Sequence, residues 1–215
     1  MAHSAPSSPP DGVSPAELAE LVGAHLRRQA AGLERAVRRN PCVDAILDGA
    51  GTLGLPGWYL GAGCLTNTIW NVLHGFDPVT GVKDYDLVYF DHDDLTAEAE
   101  RSVEARVQRR FADLGAQLDV TNEARVHLWY ESRFGRALPP YRSTEHAIST
   151  WPTTASSIGV RRDAGGFRVC APFGLRDLFA MVVRANKTVV TRAVYEAKVE
   201  RWTTVWPRLT VVPWD

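Results

Sequence analysis

The chain has almost no net charge: 24 Lys and Arg against 25 Asp and Glu over 215 residues leave −1. That balance removes the electrostatic reason for general nucleic-acid binding and leaves room for a small charged substrate. Cysteine is scarce. Cys42, Cys64 and Cys170 are odd in number and show no CxxC spacing, which argues against a disulfide framework and a zinc site and predicts buried free thiols. No apolar run approaches the roughly 20 residues needed to cross a bilayer. Met1 to Val13 lacks the basic and apolar regions of a secretion signal, so the expected location is cytoplasmic. No internal repeat is present. What remains is a chain 45% hydrophobic, enough for one sizeable core.

The expected organisation is a disordered leader over residues 1–13, rich in Pro and Ser, followed by one domain over 14–215. Ser14-Pro15-Ala16-Glu17 caps a first helix, whose stripe runs through Leu18, Leu21, His25 and Leu26, with His25 at the core or its boundary. Asn40-Pro41 opens a second helix. Trp58-Tyr59-Leu60 reads as a buried strand that passes through Gly61-Ala62-Gly63 into a helix carrying Leu65, Ile69 and Val72. Thr96 is a candidate cap for a helix ending at Gly115, and a strand containing Asp119 follows. Arg125 to Tyr130 alternates and reads as a strand. Gly135 to Pro152 reads as a long polar loop, 158–161 and 167–170 as a hairpin, and the carboxyl terminus as two helices with core tryptophans.

The chemistry gathers at Lys83-Asp84-Tyr85-Asp86-Leu87-Val88-Tyr89-Phe90. As a strand, this stretch places Asp84 and Asp86 on one face about 7 Å apart; as a helix it would set them roughly 200° apart around the axis. The aromatic and branched residues favour the strand. Two carboxylates so placed repel unless a cation lies between them, an arrangement suited to Mg²⁺. Upstream, the small residues Gly61, Ala62 and Gly63 at a helix start let backbone N–H groups approach a phosphate. The same glycines also suit an ordinary tight turn. Downstream, a helix joining two strands brings Asp119 toward Asp84 and Asp86. Three carboxylates on neighbouring strands suit metal-assisted phosphoryl or nucleotidyl transfer. Asn67 and Asn71 can serve sugar or phosphate contact or helix packing, Arg125 and His127 charge neutralisation or a half-buried sheet, and Thr153 and Thr154 the lining of a nucleotide pocket.

The turn at Gly61-Ala62-Gly63, the helix to Gly75 and the strand Lys83-Asp84-Tyr85-Asp86-Leu87-Val88 together resemble the head-domain signature of the DNA polymerase β nucleotidyltransferase superfamily. The long helix between turn and strand is similar to that of tRNA CCA-adding enzymes. Trp58 to Trp70, Asp84 to Phe90, Asp119 to Tyr130, Ser149 to Thr154 and Ala171 to Asp177 resemble a small bacterial nucleotidyltransferase-like group. The resemblance implies an α+β fold: a mixed sheet flanked by helices, with a catalytic core over about 58–130 and helical additions at both ends. It also implies an NTP substrate, Mg²⁺ or Mn²⁺, and Asp84, Asp86 and Asp119 as the metal-binding carboxylates. Ala62 stands where the superfamily usually has a glycine. The expected activity is transfer of a nucleoside monophosphate to a hydroxyl acceptor, a small molecule before a protein or an RNA end. The alternative is a nucleotide-binding sensor on the same fold without transfer. The acceptor, the choice of NTP and the oligomeric state are not in the sequence.

Overall fold

The computed structural model describes residues 13–215, so the expected leader lies outside the described residues except for Val13. Val13 is buried, and Arg39 Nη1 donates to its carbonyl at 3.0 Å. Helix α1 (Pro15–Ala19) starts on the expected capping box. Ser14 Oγ accepts from the Glu17 amide while the Glu17 carboxylate accepts from the Ser14 amide.

The single helix expected next is broken. A 3₁₀ turn over Glu20–Gly23 ends in an extended Ala24, and α2 (Leu26–Val37) restarts from His25. Gly23 weakens the helix there, and the break turns His25 and Leu26 out to solvent instead of into the core. Asn40 caps α3 (Pro41–Gly49) by accepting from the amides of Cys42 and Val43.

Strand β1 (Tyr59–Gly61) leads into α4 (Gly63–His74), and β2 (Tyr85–Tyr89) follows the loop after it. Thr96 caps α5 (Ala97–Arg110), which crosses to β3 (Leu118–Asn122), and β3 pairs parallel with β2. Two expectations fail next. Residues 125–130 are not a strand: Asn122 accepts from the Ala124 amide and α6 (Val126–Phe134) runs on to Gly135, which is left-handed. The expected loop over 135–152 contains α7 (Thr144–Ile148), capped by Ser143. The hairpin is present as β4 (Gly159–Asp163) and β5 (Gly166–Cys170).

Of the two closing helices, the first shrinks to α8 (Arg176–Phe179) followed by β6 (Val182–Val183). The second is α9 (Arg192–Val205), and β7 (Thr210–Val211) pairs parallel with β6. The five-stranded sheet has the order β3-β2-β1-β4-β5, with only β2 and β3 parallel. This is the expected mixed sheet flanked by helices.

Alternation along β2 decides the two faces. Tyr85, Leu87 and Tyr89 enter the core with Leu60, Val160 and Leu118, while Asp84, Asp86 and Val88 face the opposite side. The carboxyl-terminal tryptophans Trp202 and Trp206 are core, as expected. Trp70 meets Trp202 edge-on at 5.0 Å and Trp206 at 5.6 Å between ring centroids. Among the described residues no helix is long and apolar enough to cross a membrane. Cys42, Cys64 and Cys170 are free, but only Cys64 is fully buried.

Candidate active site

Register across the sheet sets the centre of the site. Gly61 pairs with Asp86 and Asp86 with Asp119, so three neighbouring strands present these positions in one line on one face. Asp84 stands on the same side just before β2. Asp86 is thus flanked by two carboxylates on one strand face and its neighbour. Its own carboxyl is pushed up to about 7, first by burial and then by the charges of Asp84 and Asp119, with Lys198 opposing. Asp119 lies at the exposed edge strand, where Gln117 Nε2 donates to its Oδ1 at 3.1 Å.

Gly61 is tightly packed. A Cβ there would meet the Trp151 ring at 2.5 Å and the Ile158 carbonyl at 2.9 Å, so glycine seats Trp151 opposite Asp86. The turn itself is made by Ala62, whose φ of 56° is left-handed, a conformation L side chains rarely adopt. No side chain caps α4, so the amides of its first turn have no side-chain acceptor. Gly63 lines the cavity, and a Cβ there would meet nothing nearer than Asn67 Nδ2 at 3.9 Å. One turn on, Asn67 is buried against the same cavity with its Oδ1 unpartnered. Asn71, by contrast, is fully used. Its Nδ2 donates to the carbonyls of Pro78 and Thr80 at 3.0 and 2.7 Å, and its Oδ1 accepts from Trp206 Nε1 at 2.7 Å.

Three sequence candidates lie elsewhere. Arg125 is buried in an ion pair with Glu100 and donates to the Leu95 carbonyl at 2.8 Å, behind the sheet edge. Thr153 is fully buried and exchanges a hydrogen bond with Ser156 at 2.8 Å. Thr154 donates to Asp177 Oδ2 at 2.7 Å. All three hold the frame, and none lines the cavity.

The cavity of about 620 Å³ lies over Asp84 and Asp86, with Asp119 outside its lining, and is completed by residues the sequence reading did not single out. Lys198 and Arg201 arrive on α9. Lys198 is held below the usual lysine range by burial and by Arg201, against the pull of Asp86 and Asp84. Glu123, in the turn just after β3, is raised to about 8 by burial and by Asp86, with a hydrogen bond from the Trp151 side chain opposing. Nothing in local sequence marks Lys198 as special. Glu123 carried a signal, since it lies two and four residues beyond Thr121 and Asp119 on the same alternation.

The carboxylate set fits a divalent cation. Its donors are hard oxygens, and a cation would relieve both the burial of the Asp86 charge and the repulsion from Asp84 and Asp119 that lift its carboxyl. Among the described residues, no three His, Cys, Asp or Glu side chains already converge as a ligand cluster.

A family profile described as nucleotidyltransferase matches residues 48–211. The fold is also similar to a solution NMR structure described as revealing a CCA-adding enzyme head domain. The TM-score is 0.70 at 25% identity, over 85% of this chain and 95% of that one. Among curated proteins none matches the sequence.

Proposed function

We propose, because the chain belongs to the nucleotidyltransferase family, that it moves a nucleoside monophosphate from an NTP to a hydroxyl of a small molecule, using Mg²⁺ or Mn²⁺ held by Asp84, Asp86 and Asp119. The observation that carries this reading is the register Gly61–Asp86–Asp119 across three strands, with Asp84 beside it and the uncapped start of α4 opening on the same cavity.

The Ala62 amide donates to the Ile158 carbonyl at 3.1 Å, so it is the first-turn amide of Gly63 that faces the phosphates, and the dipole of α4 favours them. Lys198 and Arg201 supply positive charge to the triphosphate from the other wall. Asn67 is placed for a sugar hydroxyl, which would donate to its unpartnered Oδ1. A bound divalent cation supplies charge compensation to the attacked phosphoryl group and to the departing pyrophosphate. Asp119 takes the proton of the acceptor hydroxyl as its oxygen bonds to the α-phosphorus and the bond to the β-phosphate oxygen breaks.

A small acceptor is favoured by the cavity volume, within the ~300–1,000 Å³ of small-molecule sites. The net charge of −1 points the same way. The similar head domain is described through a CCA-adding enzyme, so an RNA end belongs among the acceptors tried.

The test is calorimetry with each NTP, with and without Mg²⁺, alongside pyrophosphate release over a panel of hydroxyl acceptors. Asp84→Asn and Asp86→Asn are each expected to lose Mg²⁺-dependent affinity and to cut release by about 100-fold or more. Binding and turnover unchanged in both variants would overturn the reading.

A further inference from the structure

The cavity has a second wall that the transfer chemistry leaves without a task. We infer that Glu123 and the aromatic face of α6 bind a flat heteroaromatic ring carrying an exocyclic amino group, the chemistry shared by adenine, cytosine and guanine but not by uracil. The inference rests on the nucleotidyl-transfer reading, because it supposes that the cavity takes a nucleotide or a nucleotide-like acceptor.

Two independent observations point to it. Glu123 is 5% exposed, borders the cavity and has no Lys, Arg or His partner within ion-pair distance among the described residues. Its close neighbours are Trp151, Tyr141 and, across the cavity, Asp86. The Trp151 side chain offers this carboxyl one hydrogen bond, and an exocyclic amine entering the cavity adds a second donor whether the carboxyl is ionised or not.

The second observation is α6 itself. Val126, Trp129, Tyr130 and Phe134 recur at helical spacing, yet their shared face borders the cavity instead of the core. Trp129 and Tyr130 lie 6.2 Å apart at 35°, and Tyr130 and Phe134 lie 4.6 Å apart at 40°, which makes a continuous tilted ring surface. Arg133 lies over the Trp129 and Phe134 rings at 5.9 and 5.5 Å from their centroids, so Tyr130 is the ring of this face without a cation over it. Rings bordering a cavity suit stacking by a flat ring, and the carboxyl fixes which edge that ring must present. Above pH 8, where Glu123 is ionised, uracil would set its two carbonyls against the carboxylate, with only one N–H between them.

The ring can belong to the NTP or to the acceptor, and the experiment separates the two. Full-length protein with Mg²⁺ is titrated with ATP, CTP, GTP, UTP and tripolyphosphate, then compared with Glu123→Leu, Trp129→Ala and Tyr130→Ala. If the ring is the NTP base, UTP binds about tenfold or more weakly than the others above pH 8. Glu123→Leu then erases that difference, and Trp129→Ala weakens all four NTPs while leaving tripolyphosphate unchanged.

If the ring is the acceptor's, the NTPs bind alike. Adenosine or cytidine then binds to protein saturated with Mg²⁺ and tripolyphosphate, and that binding is lost in Glu123→Leu and Tyr130→Ala. Base-blind NTP affinity together with no nucleoside binding overturns the inference and leaves transfer standing. Absence of Mg²⁺-dependent tripolyphosphate affinity strikes at transfer instead, and the nucleoside titrations still decide the ring site.

Discussion

Ala62 holds a left-handed φ at the start of α4, where the superfamily signature has glycine. An L side chain in that region costs roughly 1–2 kcal/mol. Ala62→Gly is therefore expected to raise stability by about 1 kcal/mol, less the extra freedom glycine gains in the unfolded chain, without loss of Mg²⁺-dependent NTP affinity. Urea unfolding read as a shift in midpoint at constant slope checks it. The aspartates were legible because a period of two is written directly in residues 84–88, and the register of β2 with β3 then placed Asp119 beside them. Thr153, Thr154 and Arg125 were not. Hydroxyl and guanidinium groups serve frame and site equally well, and only the positions of Ser156, Asp177 and Glu100 reveal that these three are committed to the frame.

The helix α4 does two jobs, presenting its start to the cavity and gripping the loop that delivers the aspartates. Asn71 provides the grip through the carbonyls of Pro78 and Thr80, with Trp206 locking its amide from the other side. Asn71→Ala leaves the Trp206 indole N–H and the loop carbonyls without partners, each costing about 1–3 kcal/mol if left dry. The expected result is a loss of about 3 kcal/mol in denaturant unfolding, together with weaker Mg²⁺-dependent NTP binding because the loop into Asp84 loosens. Unchanged affinity would separate the loop from the site. The misread element is α6. Residues 125–130 alternate, but Val126, Trp129 and Tyr130 also recur at three and four, and a six-residue window satisfies both periods. The deciding signals lay outside it, in the Asn122 cap and the Gly135 stop. Similarly, Gly23 divided the first helical stretch although the apolar spacing ran through it.

Across the whole molecule, two raised carboxyls make stability depend on pH. Asp86 and Glu123 keep protons in the folded state that the unfolded chain releases, so the folded state loses ground as pH rises. For Asp86 the loss runs from about 4 to about 7, and for Glu123 from about 4.5 to about 8. Without divalent cations, the melting temperature is expected to fall from pH 5 to pH 8. Glu123→Gln should flatten the part of the slope between pH 7 and 8, and Mg²⁺ should offset the part due to Asp86. A melting temperature that climbs with pH in the metal-free protein would contradict this. The mixed sheet and its flanking helices were readable from element order, but the cavity was not. Lys198 and Glu123 reach it from distant parts of the chain, and no local pattern records which side of α9 or which end of β3 will close over β2.

Trp151 lies across Gly61 with Glu123 beside it, on the floor of the cavity. Of the seven tryptophans, Trp70 is sealed in the core, whereas this indole shares its cavity with any ligand that enters. Its emission is therefore a built-in optical gauge: displaced water or a neighbouring carboxyl changing charge will alter its colour and intensity. Occupancy of the site can be followed by light, with no label attached.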